Sequence, residues 1–162
     1  MRVKGGGIVT GTPAEYNLVS FHPSGQVLDQ FGRRDLRPER RTPEERRELR
    51  DKFRRTFQGA LPKAQEEELY AQAADQPKPF FATNAFATDS AGRIWVATDR
   101  GNGNTTAVDV FSATGELEAT LTFRDRVIKL APRLPFVAVL VERRGGTSDG
   151  QSGVDVYRIA ER

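Results

Sequence analysis

The sequence predicts an all-β protein of about three four-stranded antiparallel units, interrupted by one helical insertion. Three observations support this: strand-length runs that end in glycine turns, a hairpin pattern that recurs along the chain, and one stretch with helical periodicity. The 162 residues are of single-domain size and contain no cysteine, which excludes disulfides and thiolate metal sites. No apolar run approaches the roughly 20 residues that a membrane-spanning helix needs.

The most complete unit is the stretch 80–123. Its reversals Asp89–Gly92 and Ser112–Gly115 each end in a glycine, which adopts a positive φ without steric cost. The run Arg93–Thr98 is apolar at adjacent positions, which predicts a strand covered on both faces. The run 117–123 alternates apolar and polar residues, which predicts one buried face. An inner strand covered on both sides and a half-exposed outer strand are typical of a blade of a β-propeller.

The hairpin pattern recurs on both sides of this unit. Phe21 in the hairpin 16–31 superposes on Phe111, and Gly153–Tyr157 repeats Ala107–Phe111 at an offset of 46 residues. That offset is close to the roughly 40 to 50 residues of one propeller blade. The continuously apolar run 136–141 predicts a second strand covered on both faces.

The stretch 35–76 has a helical period instead. Thr42–Glu45 reads as a capping box with proline at the first helical position, so a helix should begin at Pro43 and end at Gly59. A second, weaker helix should begin near Pro62. The apolar stripe is narrow, so we expect the pair to lie outside the sheets.

The chain therefore divides into four predicted segments: a partial blade at 1–34, the helical insertion at 35–76, a complete blade at 77–124, and a last blade lacking its outer strand at 125–162. The stretches FATDSAGRIWVAT, VDVFSATGELEATL and VDVYRI, with the Thr-Pro-Glu-Glu helix, resemble the bacterial six-bladed β-propellers of the NHL-like and TolB-like type. The residues outside the insertion suffice for three blades at about 40 residues each. We therefore expect either the C-terminal half of a longer propeller or the assembly of two copies.

The leading functional interpretation is a noncatalytic binding or scaffold module without a cofactor, whose protein or small-molecule partner engages loops on one face. A lactonase-like propeller hydrolase, with its site outside this chain, is an alternative. The predicted innermost strands offer it only Asn84 and Lys129 as inward polar groups, and the sole histidine, His22, lies in a turn. The compartment stays open: an exported or periplasmic protein would need a signal that this sequence does not show.

The second alternative is binding of an anion or nucleic acid through the helix 43–57. Between residues 33 and 55 there are eleven arginines or lysines and six acids. The candidate binding residues are Arg46, Arg47, Arg50 and Arg54. The favoured reading is a solvated face paired with Glu44, Glu48 and Asp51, because acids are interleaved and no aromatic residue lies among the arginines, which makes nucleic acid an unlikely partner.

The loop 99–104 supplies the remaining candidates for ligand contact, Arg100, Asn102 and Asn104. Its oxygen-bearing side chains and glycines are also typical of calcium-binding loops. However, the twelfth position from Asp99 is Val110, where a helix-loop-helix calcium site needs a bidentate glutamate. A glycine-rich hairpin without metal is therefore favoured.

Overall fold

The computed structural model describes residues 8–100, 105–143 and 150–160. Within them lie ten strands and two helices, so the mostly antiparallel β character is confirmed. The strands are β1 (Ile8–Thr12), β2 (Asn17–Phe21), β3 (Val27–Gly32), β4 (Phe81–Thr88), β5 (Ile94–Thr98), β6 (Thr106–Phe111), β7 (Leu117–Phe123), β8 (Arg126–Arg133), β9 (Phe136–Glu142) and β10 (Ser152–Arg158). They form three sheets in chain order: a first sheet of β1 to β3, a central sheet of β4 to β7 and a third sheet of β8 to β10.

The central sheet confirms the predicted four-stranded meander. Gly92 and Gly115 close its two tight turns with φ of 86° and 85°, a region that favours glycine. All five residues of β5 are buried, as the adjacent apolar positions predicted.

Two burial predictions are wrong. Of the apolar positions predicted to be buried on β7, Phe123 alone is fully buried, and Leu117 is 43% exposed, because β7 is an edge strand that the neighbouring sheets barely cover. On β9, Val137, Val139 and Val141 are buried, but the alternate residues are half-buried or exposed. Within the described residues only one face of the third sheet is covered, so its middle strand is not sandwiched.

The three sheets stack face to face, with the central sheet in the middle. The first sheet packs on one face, where Phe31 meets Phe111 at 5.4 Å between ring centroids. The third sheet packs on the opposite face, where Tyr157 meets Phe123 at 5.1 Å. The hydrophobic core therefore lies in two layers, one on each side of the central sheet.

The helices lie outside this stack. Helix α1 (Pro43–Phe57) begins at the predicted proline with both bonds of the capping box, and helix α2 is Lys63–Asp75. They pack on each other through Phe53 and Tyr70, whose ring centroids are 6.2 Å apart. Lys78 holds α1 to the chain entering β4 through a 2.6 Å ion pair with Glu45. Neither described helix is both long enough and apolar enough to cross a membrane.

Candidate functional site

A cleft of about 790 Å³ lies between α1 and one end of the central sheet. The central sheet contributes the end of β5 and the start of β6, and the third sheet contributes the start of β8. The helix contributes the side that carries Glu44, Glu48, Asp51, Lys52 and Arg55. The insertion after β3 thus places a charged helix face above the loop end of the central sheet.

Acids and bases are mixed in this cleft. At its margins the cations are already paired: Lys78 binds Glu45, and Arg126 binds Glu142 at 3.0 Å. The hydrogen bond from Lys78 lowers the pKa of Glu45. Among the described residues, the helix side chains Glu44, Glu48, Asp51, Lys52 and Arg55 make no ion pair with one another or with any other residue. Such a lining suits a polar, charged segment better than an apolar molecule.

The four predicted arginines lie on the other side of α1. At about 100° per residue, Arg46, Arg50, Arg54 and Arg47 follow one another within an arc of about 100°. We call this set the arginine arc. Because Glu44, Glu48 and Asp51 line the cleft, the predicted pairing with these acids is not formed among the described residues.

Helix α2 places an aromatic residue, Tyr70, against the arginine arc, a contact that the sequence did not predict. The guanidinium of Arg50 lies 4.4 Å from the centre of the Tyr70 ring and 3.6 Å from the Glu67 carboxylate. Arg47 and Arg54 are exposed and have no ion pair within the described part of the chain. The apolar stripe of α1 that includes Phe53 predicts a packing partner for this helix, but it does not identify Tyr70 as the residue beside Arg50.

Arg100 does not extend from its loop but turns back into the sheet stack. It donates a 2.5 Å hydrogen bond to Asp109 and lies 5.6 Å above the ring of Tyr16. Its Nε is buried without a hydrogen-bond partner among the described residues. The other two loop candidates, Asn102 and Asn104, lie outside the described residues.

Asp109 is the centre of a buried polar cluster that joins the first and central sheets. Its side chain is 0% exposed and also accepts hydrogen bonds from Tyr16 at 2.5 Å, Thr120 at 2.6 Å and Arg33 at 3.2 Å. The sequence signal was present, since Asp109 is the polar residue of the repeated Val-Asp-Val-aromatic motif. What the sequence did not show is that Tyr16, in the turn between β1 and β2, and Arg33, directly after β3, converge on it.

Tyr16 is held in an unusual conformation at this cluster. Its φ is 47°, in the left-handed region that non-glycine residues rarely adopt. Burial, together with the charge and hydrogen bond of Asp109, raises the pKa of its hydroxyl. The hydroxyl therefore stays protonated and donates to the carboxylate.

A second buried carboxylate, Asp89, organises the turn between β4 and β5. It accepts hydrogen bonds from Arg93 at 2.7 Å and from the indole of Trp95 at 3.1 Å. Burial opposes ionisation of Asp89, but these hydrogen bonds together outweigh it and lower the pKa. This places Trp95 in the sheet core rather than on a ligand-binding surface.

The remaining polar candidates lie apart. His22 is exposed and bonds to Ser24, Lys129 is exposed on the third sheet, and the side chain of Asn84 lies outside the described residues. In the part of the chain that the structure describes, no three histidines or acids are placed to hold a metal ion.

Comparisons with known proteins identified no relative of this chain. No family model, curated protein or solved structure matches this chain.

Proposed function

We propose that this chain is a noncatalytic β-propeller-type binding or scaffold module, with its three sheets as consecutive blades. The observation that carries the proposal is the central sheet, whose strands β5 and β6 are covered on both faces by the neighbouring sheets in chain order. Face-to-face stacking of short antiparallel meanders is the packing of propeller blades. Fold alone does not name a ligand, so the binding site has to be identified from the residues that line the surface.

The partner contacts the cleft beneath α1. Loops at the ends of stacked sheets are where such scaffolds present binding surfaces. Here α1 adds charged side chains that are not neutralised by ion pairs among the described residues, which leaves them available to a partner. The mixed charge favours a polar peptide segment that carries both acids and bases.

Site-specific photocrosslinking tests this placement. A benzophenone amino acid at Asp51, inside the cleft, should give one discrete adduct in the cells that make the protein. The matched position is Glu68, which is exposed on α2 and does not line the cleft. The same adduct at both positions, or at neither, contradicts the proposal. Glu48→Gln should weaken the adduct formed from Asp51.

The arginine arc supports a second candidate, binding of an acidic polymer. Arg47 and Arg54 are exposed without ion pairs in the described residues, and the Arg50–Tyr70 stack preorganises a third cation. Retention on heparin tests it, because each lost phosphate or sulfate contact reduces the salt dependence of binding.

The variant Arg47→Gln/Arg54→Gln should elute from heparin at lower salt than the wild type. Lys52→Gln/Arg55→Gln removes the same charge from the cleft side and should change elution less. Equal shifts would show a response to net charge alone and would rule out the arc as a specific site.

A further inference from the structure

The third sheet leaves one apolar face uncovered by the described residues. Its outward rows pair Leu140 with Val154 and Ala138 with Val156. Val154 and Val156 are 66% and 64% exposed, and Phe136 on the same face is 49% exposed. We call these residues the outer face of the third sheet. Exposed apolar side chains contiguous over two strands mark an interaction surface.

The first sheet ends the stack on the opposite side and also has an outward face. Val19, Phe21 and Val27 share it, since Phe21 pairs with Val27 and Leu18 points inward. We call these residues the outer face of the first sheet. Val27 is 57% exposed and Phe21 is half-buried.

The recurring hairpin pattern indicates which kind of surface Phe21 would contact. Its counterparts Phe111 and Tyr157 each contact an aromatic ring of the preceding sheet, Phe31 and Phe123 respectively. Phe21 has no aromatic partner among the described residues. The missing contact is therefore the face of another sheet of this kind. The third sheet has no counterpart of β3 or β7 among the described residues, so its own exposed apolar side chains would provide this contact.

The charges on the outer faces favour pairing of a third sheet with a first sheet over pairing of two third sheets. The outward rows of the third sheet carry Lys129, Arg133 and Arg158 and no unpaired acid, so two such faces would repel each other. The outward rows of the first sheet, Thr10–Val19–Gln30 and Phe21–Val27, carry no charge. The cations can extend past a neutral face into water while their stems cover apolar surface.

We propose that a second copy of this chain covers both faces, the outer face of the third sheet of each copy packing on the outer face of the first sheet of the other. Two such contacts close a ring of six sheets, and both faces of both copies are buried. A head-to-tail contact that closes after two copies gives a dimer rather than a filament. The inference rests on the propeller-type stacking proposed above.

Two matched substitutions test it by light scattering after size exclusion. The wild type should have twice the mass of the 18.0 kDa chain. Val156→Glu and Val27→Glu, both at exposed strand positions, should each raise the dissociation constant of the dimer at least about tenfold. Leu69→Glu, on α2 and 41% exposed, should remain dimeric.

Mixing the two variants is the decisive step. A Val156→Glu chain keeps an intact first-sheet face, and a Val27→Glu chain keeps an intact third-sheet face. An equimolar mixture should therefore recover part of the dimer through one intact contact, while the other contact carries both glutamates. Disruption by Val156→Glu alone, without recovery on mixing, would show symmetric pairing of third sheets and overturn the proposal.

A monomeric wild type at about 100 μM, or species that grow beyond the dimer with concentration, would also overturn it. Circular dichroism confirms that each variant is folded. Photocrosslinking from Asp51 in the Val156→Glu monomer separates the two proposals, since a cleft adduct that persists leaves the binding function standing without the dimer.

Discussion

The two sheet-to-sheet contacts use the same motif in different ways. Asp109 and Asp155 occupy equivalent positions in the Val-Asp-Val-aromatic repeat, 46 residues apart. Asp109 is fully buried and binds Tyr16 and Arg33 of the preceding sheet. Asp155 is 24% exposed at its side chain and pairs with Arg143 at 2.5 Å within its own sheet.

The difference originates in the preceding sheet. At an offset of 90 residues, Tyr16 and Arg33 correspond to Thr106 and Phe123. Thr106 accepts a hydrogen bond from the backbone of Val127, and Phe123 packs on Tyr157, so neither reaches Asp155. The aspartate of the repeated motif thus binds either the preceding sheet or an arginine of its own sheet. Which of the two it binds depends on two residues of the preceding sheet.

The largest expected effect is the loss of Asp109. Asp109→Ala leaves two guanidinium groups and a buried hydroxyl without their shared acceptor, and should lower the free energy of unfolding by about 3–5 kcal/mol. Asp155→Ala should cost less than about 1 kcal/mol, because its partner is solvated. Urea denaturation measures both. Equal losses would mean that the two contacts are energetically alike.

The glycine turns offer a second matched pair. Gly115 and Gly25 are equivalent turn residues with φ of 85° and 89°, but a Cβ on Gly115 would lie 2.6 Å from the Phe31 ring, whereas a Cβ on Gly25 meets nothing within 4 Å. Gly25→Ala should cost about 1–2 kcal/mol of backbone strain alone. Gly115→Ala should cost about 2–4 kcal/mol because it also pushes the first sheet from the central one. Thermal unfolding of both variants makes the comparison, and indistinguishable melting points would contradict it.

The tyrosine hydroxyls give a third pair. Tyr16→Phe removes a 2.5 Å hydrogen bond to a buried carboxylate and should cost about 1.5–3 kcal/mol. Tyr157→Phe removes a 3.3 Å contact to the more exposed Asp155 and should cost about 0.5 kcal/mol. Both rings keep their aromatic contacts, so chemical denaturation isolates the hydroxyl. A larger loss of unfolding free energy for Tyr157→Phe than for Tyr16→Phe would contradict this prediction. It would mean that Asp155, and not Asp109, accepts the more stabilising tyrosine hydrogen bond.

Local signals in the sequence were sufficient for the elements themselves. The capping box at Thr42 and the glycines at 92 and 115 depend on neighbours within four residues, and the structure confirms each. The run at 94–98 was apolar on both faces, and both faces are covered.

Predictions that depended on distant partners were less successful. The apolar run at 136–141 is consistent with either one or two covered faces, and only the placement of other sheets decides between them. The cluster at Asp109 required knowing that residues 76 and 93 positions away converge on it. Likewise, the side of α1 that faces the sheet end could not be chosen from its charges alone, because both sides of the helix are charged.

The smallest expected effect is the pH response of the surface ion pair. The hydrogen bonds of Arg143 lower the pKa of Asp155, so ionisation of this carboxylate stabilises the folded state above its unfolded pKa of about 3.9. That stabilisation is lost as the pH falls through the folded pKa. Asp155→Asn should therefore be less stable than the wild type by under about 1 kcal/mol at pH 7, and the gap should close between about pH 4 and the lower folded value.

Urea denaturation at a series of pH values, with and without about 1 M NaCl, measures this gap. Salt should narrow this stability gap at pH 7, because both side chains are partly exposed, at 35% for Arg143 and 24% for Asp155, and solvent ions screen their charges. Asp29→Asn, at an exposed carboxylate without an ion pair among the described residues, controls for the general effect of removing one charge. If the stability difference between the wild type and Asp155→Asn did not change with pH or salt, the prediction would be contradicted. Asp155 would then resemble Asp109, a carboxylate whose partners are shielded from solvent.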